Sequence, residues 1–84
     1  MTKAQISALT QAIRKRFAAA KVEAEAVNGH GRYRIAVISP QFKKMTQLER
    51  QDALWAIVDK TLPREATLDI SLILAFAPTE LATA

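Results

Sequence analysis

Few side chains in this 84-residue sequence are suited to bond-making or metal chemistry. Cysteine is absent and His30 is the single histidine, which excludes disulfides, thiolate ligation and a cysteine nucleophile. His30 stands between Gly29 and Gly31. It can offer one imidazole to a metal shared with another molecule, and otherwise reads as a solvated loop residue. Ser39, His30 and Asp69 supply the residue types of a hydrolytic triad. Ser39, however, precedes Pro40 at the end of an apolar run, with neither a nucleophile elbow nor a glycine-rich oxyanion turn. Glu23 and Glu25 recur at strand spacing and, opposite Arg34, read as ion-pair partners rather than as an acid and a base. No catalytic residue is expected.

Charge offers a second kind of chemistry. Twelve basic against eight acidic residues give a net charge of +4, which favours contact with polyanions but is also ordinary for keeping a small domain in solution. Lys43 and Lys44 fall just before a helix start, with Arg50 inside its first two turns, so the three form a candidate anion-binding corner. The KH mode of nucleic-acid binding is not available, because it needs a GXXG loop between two helices and the only glycines are Gly29 and Gly31.

The elements that must position these residues follow from periodicity and caps. Thr2 and Gln5 have capping-box spacing, and Ile6, Leu9, Ile13 and Phe17 recur at helical intervals, giving a helix from about Thr2 to Ala19. Alternation from Val22 to Val27 resumes from Tyr33 to Val37 after Asn28-Gly29-His30-Gly31, which predicts a hairpin with Glu25 opposite Arg34 and Ala24 opposite Ile35. Ser39-Pro40 ends the second strand, and a short polar connection leads to Thr46 and Glu49, a second capping box. The helix so opened runs to Thr61, before Leu62-Pro63.

Leu68 to Phe76 reads as a third strand with Leu68, Ile70, Leu72, Leu74 and Phe76 on one face. Reaching it through a helix makes it parallel to the second strand. Pro78-Thr79-Glu80 suggests a closing turn of helix. The expected fold is therefore α+β, a single domain over 1–84 in the order α-β-β-α-β(-α), with a three-stranded mixed sheet carrying its helices on one face. Its other face is expected to show Glu23, Glu25, Arg34, Asp69 and Ser71. Trp55, beside the apolar stripe of the second helix, is expected at the core edge, with partner anchoring as the sharper alternative, and Tyr33 in the core. No signal-peptide pattern opens the chain, and nowhere do about 18 apolar residues run uninterrupted, so a cytoplasmic protein without a membrane span is expected.

Two segments carry a family resemblance. Tyr33-Arg34-Ile35-Ala36-Val37-Ile38-Ser39-Pro40-Gln41-Phe42-Lys43-Lys44-Met45, continuing through Leu48-Glu49-Arg50-Gln51 to Leu54-Trp55, is similar to the signature of BolA proteins, and Leu68 to Leu81 is similar to that family's closing strand and threonine-proline-x-glutamate-tryptophan box. The resemblance implies a fold related to the class II KH arrangement, a non-catalytic regulatory role, and a [2Fe–2S] cluster shared with a monothiol glutaredoxin through a histidine at the start of the closing strand. That position reads Asp69 here, a poor donor for iron–sulfur chemistry. Lys44 replaces a glycine of the family pattern and Leu81 its tryptophan. The chain is accordingly expected to hold no cluster, with His30 as the weak candidate for a ligand and Asp69 as a non-ligand. It is expected to act by protein contact, with a glutaredoxin among the partners implied, through the hairpin loop, the start of the third strand and the corner of Phe42, Lys43, Lys44 and Arg50. A KH-related nucleic-acid binder using that corner is the alternative.

Overall fold

Thr2 opens the first helix, α1, over Lys3–Arg16, in a computed structural model that describes residues 1–27, 29 and 31–81. The hydroxyl of Thr2 accepts from the Gln5 amide, while the Gln5 side chain accepts from the Thr2 amide, so the expected capping box is formed. The helix ends sooner than the alanine run suggested. Phe17 leaves helical geometry and Ala19 takes a positive φ of 63°, which turns the chain into β1, Lys21–Val27.

β1 pairs antiparallel with β2, Arg32–Ile38, and Glu25 faces Arg34 while Ala24 faces Ile35. Gly29 and Gly31 adopt φ of 70° and 72° in the connection, a region that costs glycine nothing. The expectation for His30 lies outside the described residues. After β2 the polar connection is a 3₁₀ helix, Pro40–Lys44, started by the Ser39 hydroxyl, which accepts from the Gln41 amide. Helix α2 spans Gln47–Thr61, with Thr46 and Glu49 forming the second capping box. A short helix that the sequence reading did not anticipate, α3, occupies Arg64–Thr67. Strand β3, Ile70–Phe76, then runs parallel to β2, and α4, Pro78–Leu81, follows it.

The sheet order is β1-β2-β3, with α1 and α2 on one face. Between helices and sheet, the apolar stripe of α1 (Leu9, Ile13, Phe17) meets Ile35 and Val37 of β2, Leu54 and Val58 of α2, and Phe42. The rings of Phe17 and Phe42 pack tilted, with centroids 4.9 Å apart, a favoured aromatic geometry.

β3 departs from the expected pattern. Tyr33 pairs with Ile70 but Arg34 pairs with Leu72, leaving Ser71 as an extra residue on β3. Such an insertion exchanges the two faces of a strand. Ile70 is buried before it, and Ile73, Ala75 and Ala77 are buried after it, whereas Leu72 is 47% exposed and Leu68 precedes the strand altogether. Of the expected face of Leu68, Ile70, Leu72, Leu74 and Phe76, only Ile70 therefore reaches the core. Leu72, Leu74 and Phe76 instead lie beside Arg34, Ala36 and Ile38 on the side away from the helices, so that side is more apolar than expected.

Candidate functional site

The corner of Phe42, Lys43, Lys44 and Arg50 is built where the 3₁₀ helix hands over to α2. The 3₁₀ turn directs Phe42 inward and Lys43 and Lys44 outward. Phe42 has no exposed surface, and Arg50 is 4% exposed. Neither side chain is presented to a partner, which corrects the expectation that they form a binding surface. Lys43 and Lys44 remain exposed.

Arg50 is instead a hub. Its Nε donates to Met45 O at 3.1 Å, Nη1 to Ala75 O at 3.1 Å, and Nη2 to Phe42 O at 2.5 Å. The two terminal nitrogens also donate to Glu80 Oε1 and Oε2, both at 2.8 Å, a bidentate fork. The guanidinium carbon lies 5.6 Å from the Phe42 ring centroid. One buried cation thus ties the 3₁₀ helix, α2, β3 and α4 together. Glu80 Oε1 additionally accepts from the Ala77 amide at 2.9 Å. The Arg50 hydrogen bond, then the amide bond, hold the Glu80 carboxyl down at about 2, and the same fork raises Arg50 above its usual value. Glu49 is lowered by the Thr46 amide and hydroxyl in the capping box. The charge of Arg50 is consequently met by Glu80, and the first turn of α2 already has a carboxylate, so the corner is less cationic than three basic residues suggested.

A row of hydrogen bonds from α2 crosses to β3. Gln47 Nε2 and Arg50 Nη1 both donate to Ala75 O, and Gln51 Nε2 donates to Ile73 O. Because Phe76 O accepts from Ser39 N of the β2 side, strand alternation points the Ile73 and Ala75 carbonyls at the edge away from β2. Side chains at 47, 50 and 51 therefore cover the carbonyls of that free edge.

Asp69 sits immediately before β3. Its backbone carbonyl accepts from Tyr33 N at 2.7 Å, and its carboxylate takes an ion pair from the Met1 amino group at 2.9 Å. Pro63, Glu65 and Ala66 wall the same depression. Among the described residues, no three His, Cys, Asp or Glu side chains converge as a metal site. The donor chemistry does not suit a [2Fe–2S] cluster, because the chain has no thiolate and the carboxylate at Asp69 already serves a cation. Trp55 is half-buried at the core edge, as expected, and Tyr33, expected in the core, is also only half-buried against it.

The functional signals missed by the sequence reading are apolar. Leu48 is 71% and Leu68 is 68% exposed. Leu48 begins α2 close in sequence to Lys43 and Lys44, and Leu68 adjoins Asp69. The alternation places Leu68 on a strand face, but it caps α3 and projects outward.

With this geometry in place, the fold can be placed among known ones. The topology and sheet order are those of BolA proteins: this chain has a BolA-like α+β fold. The chain is similar to BolA1 from Arabidopsis thaliana over 90% of its own length and 94% of that chain, at 13% identity and a TM-score of 0.66. It is also similar to a BolA protein homologue from Coxiella burnetii over 98% of its own length and 97% of that chain, at 20% identity and a TM-score of 0.64. No protein-family model matches the sequence, and no curated protein matches it. Among the described residues, no helix is long and apolar enough to cross a membrane.

Proposed function

We propose that this chain is a non-catalytic, BolA-like cytoplasmic adaptor that works by contact with another protein and does so without sharing a [2Fe–2S] cluster. The observation that carries it is the exposure of Leu48 and Leu68, at 71% and 68%, one beside the Lys43–Lys44 corner and one beside Asp69. Each exposed leucine, Leu48 at the start of α2 and Leu68 ahead of β3, stands next to charged groups, the composition of an apolar anchor with a polar rim. Asp69, where the family resemblance expects the histidine ligand, is a hard donor and is ion-paired, which supports docking without cluster transfer.

A monothiol glutaredoxin is the partner to test first. Size-exclusion chromatography of the two proteins, with and without iron and sulfide, should give a heterodimer in both conditions and no new cluster absorption. Leu68→Glu should weaken it. A heterodimer that forms only with iron and sulfide, with a shifted cluster spectrum, would refute the proposal. Nucleic-acid binding through Lys43 and Lys44 is the alternative, favoured by their exposure but weakened by the removal of Arg50 into the interior. A DNA complex dissolved by salt and by Lys43→Glu would favour it.

A further inference from the structure

Between the last turns of α1 and α2 lies an open cleft of about 500 Å³ lined by Ala12, Lys15, Arg16, Ile57, Lys60 and Thr61. Its volume lies within the roughly 300–1,000 Å³ typical of small-molecule sites. Ala12 and Ile57 form an apolar, half-buried floor, and three exposed cations form the rim. Among the described residues, no carboxylate lines it.

Helix C-termini attract cations on their own account, so the magnitude matters. Two such termini carry together about −1 elementary charge, which leaves roughly two of the three positive charges uncompensated. Neighbouring acids do not supply the difference. α1 contains no acidic residue, and Asp59, next to Lys60, lines a separate depression together with Arg64. Nor is the cationic character an accident of mobile chains throughout. Arg14 is occupied with Ala20 O at 3.1 Å, while the guanidinium of Arg16 is held 4.6 Å from the centroid of the fully buried Phe17 ring, a cation–π contact that fixes one rim group against a rigid core residue.

We infer that the α1–α2 cleft binds a small phosphate monoester with an apolar body, the phosphate held by Lys15, Arg16 and Lys60 and the body resting on Ala12 and Ile57. A phosphate dianion matches the excess charge, and Arg16 with Thr61 adds directional donors. The apolar floor separates this ligand from a bare anion.

Titration of the isotopically labelled chain with phenyl phosphate, inorganic phosphate and phenol, followed by two-dimensional NMR, tests the assignment. Phenyl phosphate should shift the amides of residues 12, 15, 16, 57, 60 and 61, and bind about tenfold or more tightly than either half alone. Lys60→Gln should weaken it about tenfold, the effect of one charged hydrogen bond, while Lys60→Arg retains it and unchanged thermal unfolding shows that both variants fold. Absence of saturable shifts, shifts centred on Lys43 and Lys44, equal affinity for inorganic phosphate, or indifference to Lys60→Gln would each overturn the inference. None of these outcomes bears on the glutaredoxin experiment, because the two surfaces share no residue.

Discussion

Replacing Arg50 with methionine keeps much of its volume and removes its charge and five donated hydrogen bonds, to Phe42, Met45, Ala75 and both oxygens of Glu80. A charged hydrogen bond to a buried carbonyl contributes about 1.5–3 kcal/mol. Three such bonds cannot simply be added, because Ala75 O retains Gln47 and Phe42 O retains the Met45 amide. Glu80, with 41% of its side chain exposed, can rehydrate once released, so its liberation is not the penalty of a stranded buried charge. The expected loss is about 3 kcal/mol, out of the roughly 4–13 kcal/mol that a chain of this length commands. Urea unfolding followed by circular dichroism should show a lower midpoint at unchanged slope, and thermal unfolding should fall by roughly 12–24 °C. Lys43→Ala, on the exposed side of the 3₁₀ helix, should stay within about 0.5 kcal/mol. A loss below about 1 kcal/mol for Arg50→Met, or one matching Lys43→Ala, would refute the hub and return Arg50 to the surface role first expected.

The remaining predictions concern charge, register and backbone. Glu80 has a folded value of about 2 against an ordinary 4.5, so its stabilisation is complete above pH 4.5 and is lost as pH falls toward 2; Glu80→Gln should flatten the rise of stability across that window, and an unchanged slope would exclude the fork as its source. Ile73→Ala should cost about 2–4 kcal/mol as a core truncation and Leu72→Ala less than about 1 kcal/mol, measured by urea unfolding; the reverse order would mean that the extra residue at Ser71 has been misplaced. Ala19→Gly should stabilise by up to about 1 kcal/mol in calorimetry, since the φ of 63° costs alanine about 1–2 kcal/mol and glycine only its unfolded-state entropy.

Caps and alternation made most of the architecture legible. Thr2 with Gln5 and Thr46 with Glu49 set both helix starts, and the pairing of Glu25 with Arg34 followed from charge and hydrophobicity pointing to the same register. What escaped was non-local. Nothing in Leu68 to Phe76 alone marks the extra residue, because the wholly apolar set of Leu68, Ile70, Leu72, Leu74 and Phe76 outscores Asp69, Ser71, Ile73 and Ala75 as a core face, and only the pairing with β2 decides between them. Pro63 followed by Glu65 was the available sign of α3, overshadowed by the strand-like run after it. Arg50 was misjudged because arginine at a helix start is normally exposed, and its partner Glu80 lies thirty residues away in sequence. No local pattern announces such a pair.

The covered edge of β3 narrows how a partner can dock. An exposed strand edge usually invites another strand to add by main-chain pairing, but here Gln47, Arg50 and Gln51 already occupy the carbonyls of Ile73 and Ala75. A strand arriving at that edge would have to displace a buried guanidinium from its carboxylate and three backbone acceptors. At the opposite edge, β1 carries Lys21, Glu23 and Glu25 on its outward positions, the first two paired with each other and Glu25 with Arg34, a charged border of the kind that discourages strand addition. Under the proposed adaptor role, contact is therefore better served by projecting side chains such as Leu48 and Leu68 than by backbone. Substituting Gln47 and Gln51 together with alanine separates the two modes: it should leave an interface made by leucines intact while exposing the Ile73 carbonyl, and any gain in partner affinity, or new self-association seen by sedimentation, would show that the edge had been the binding surface held in check.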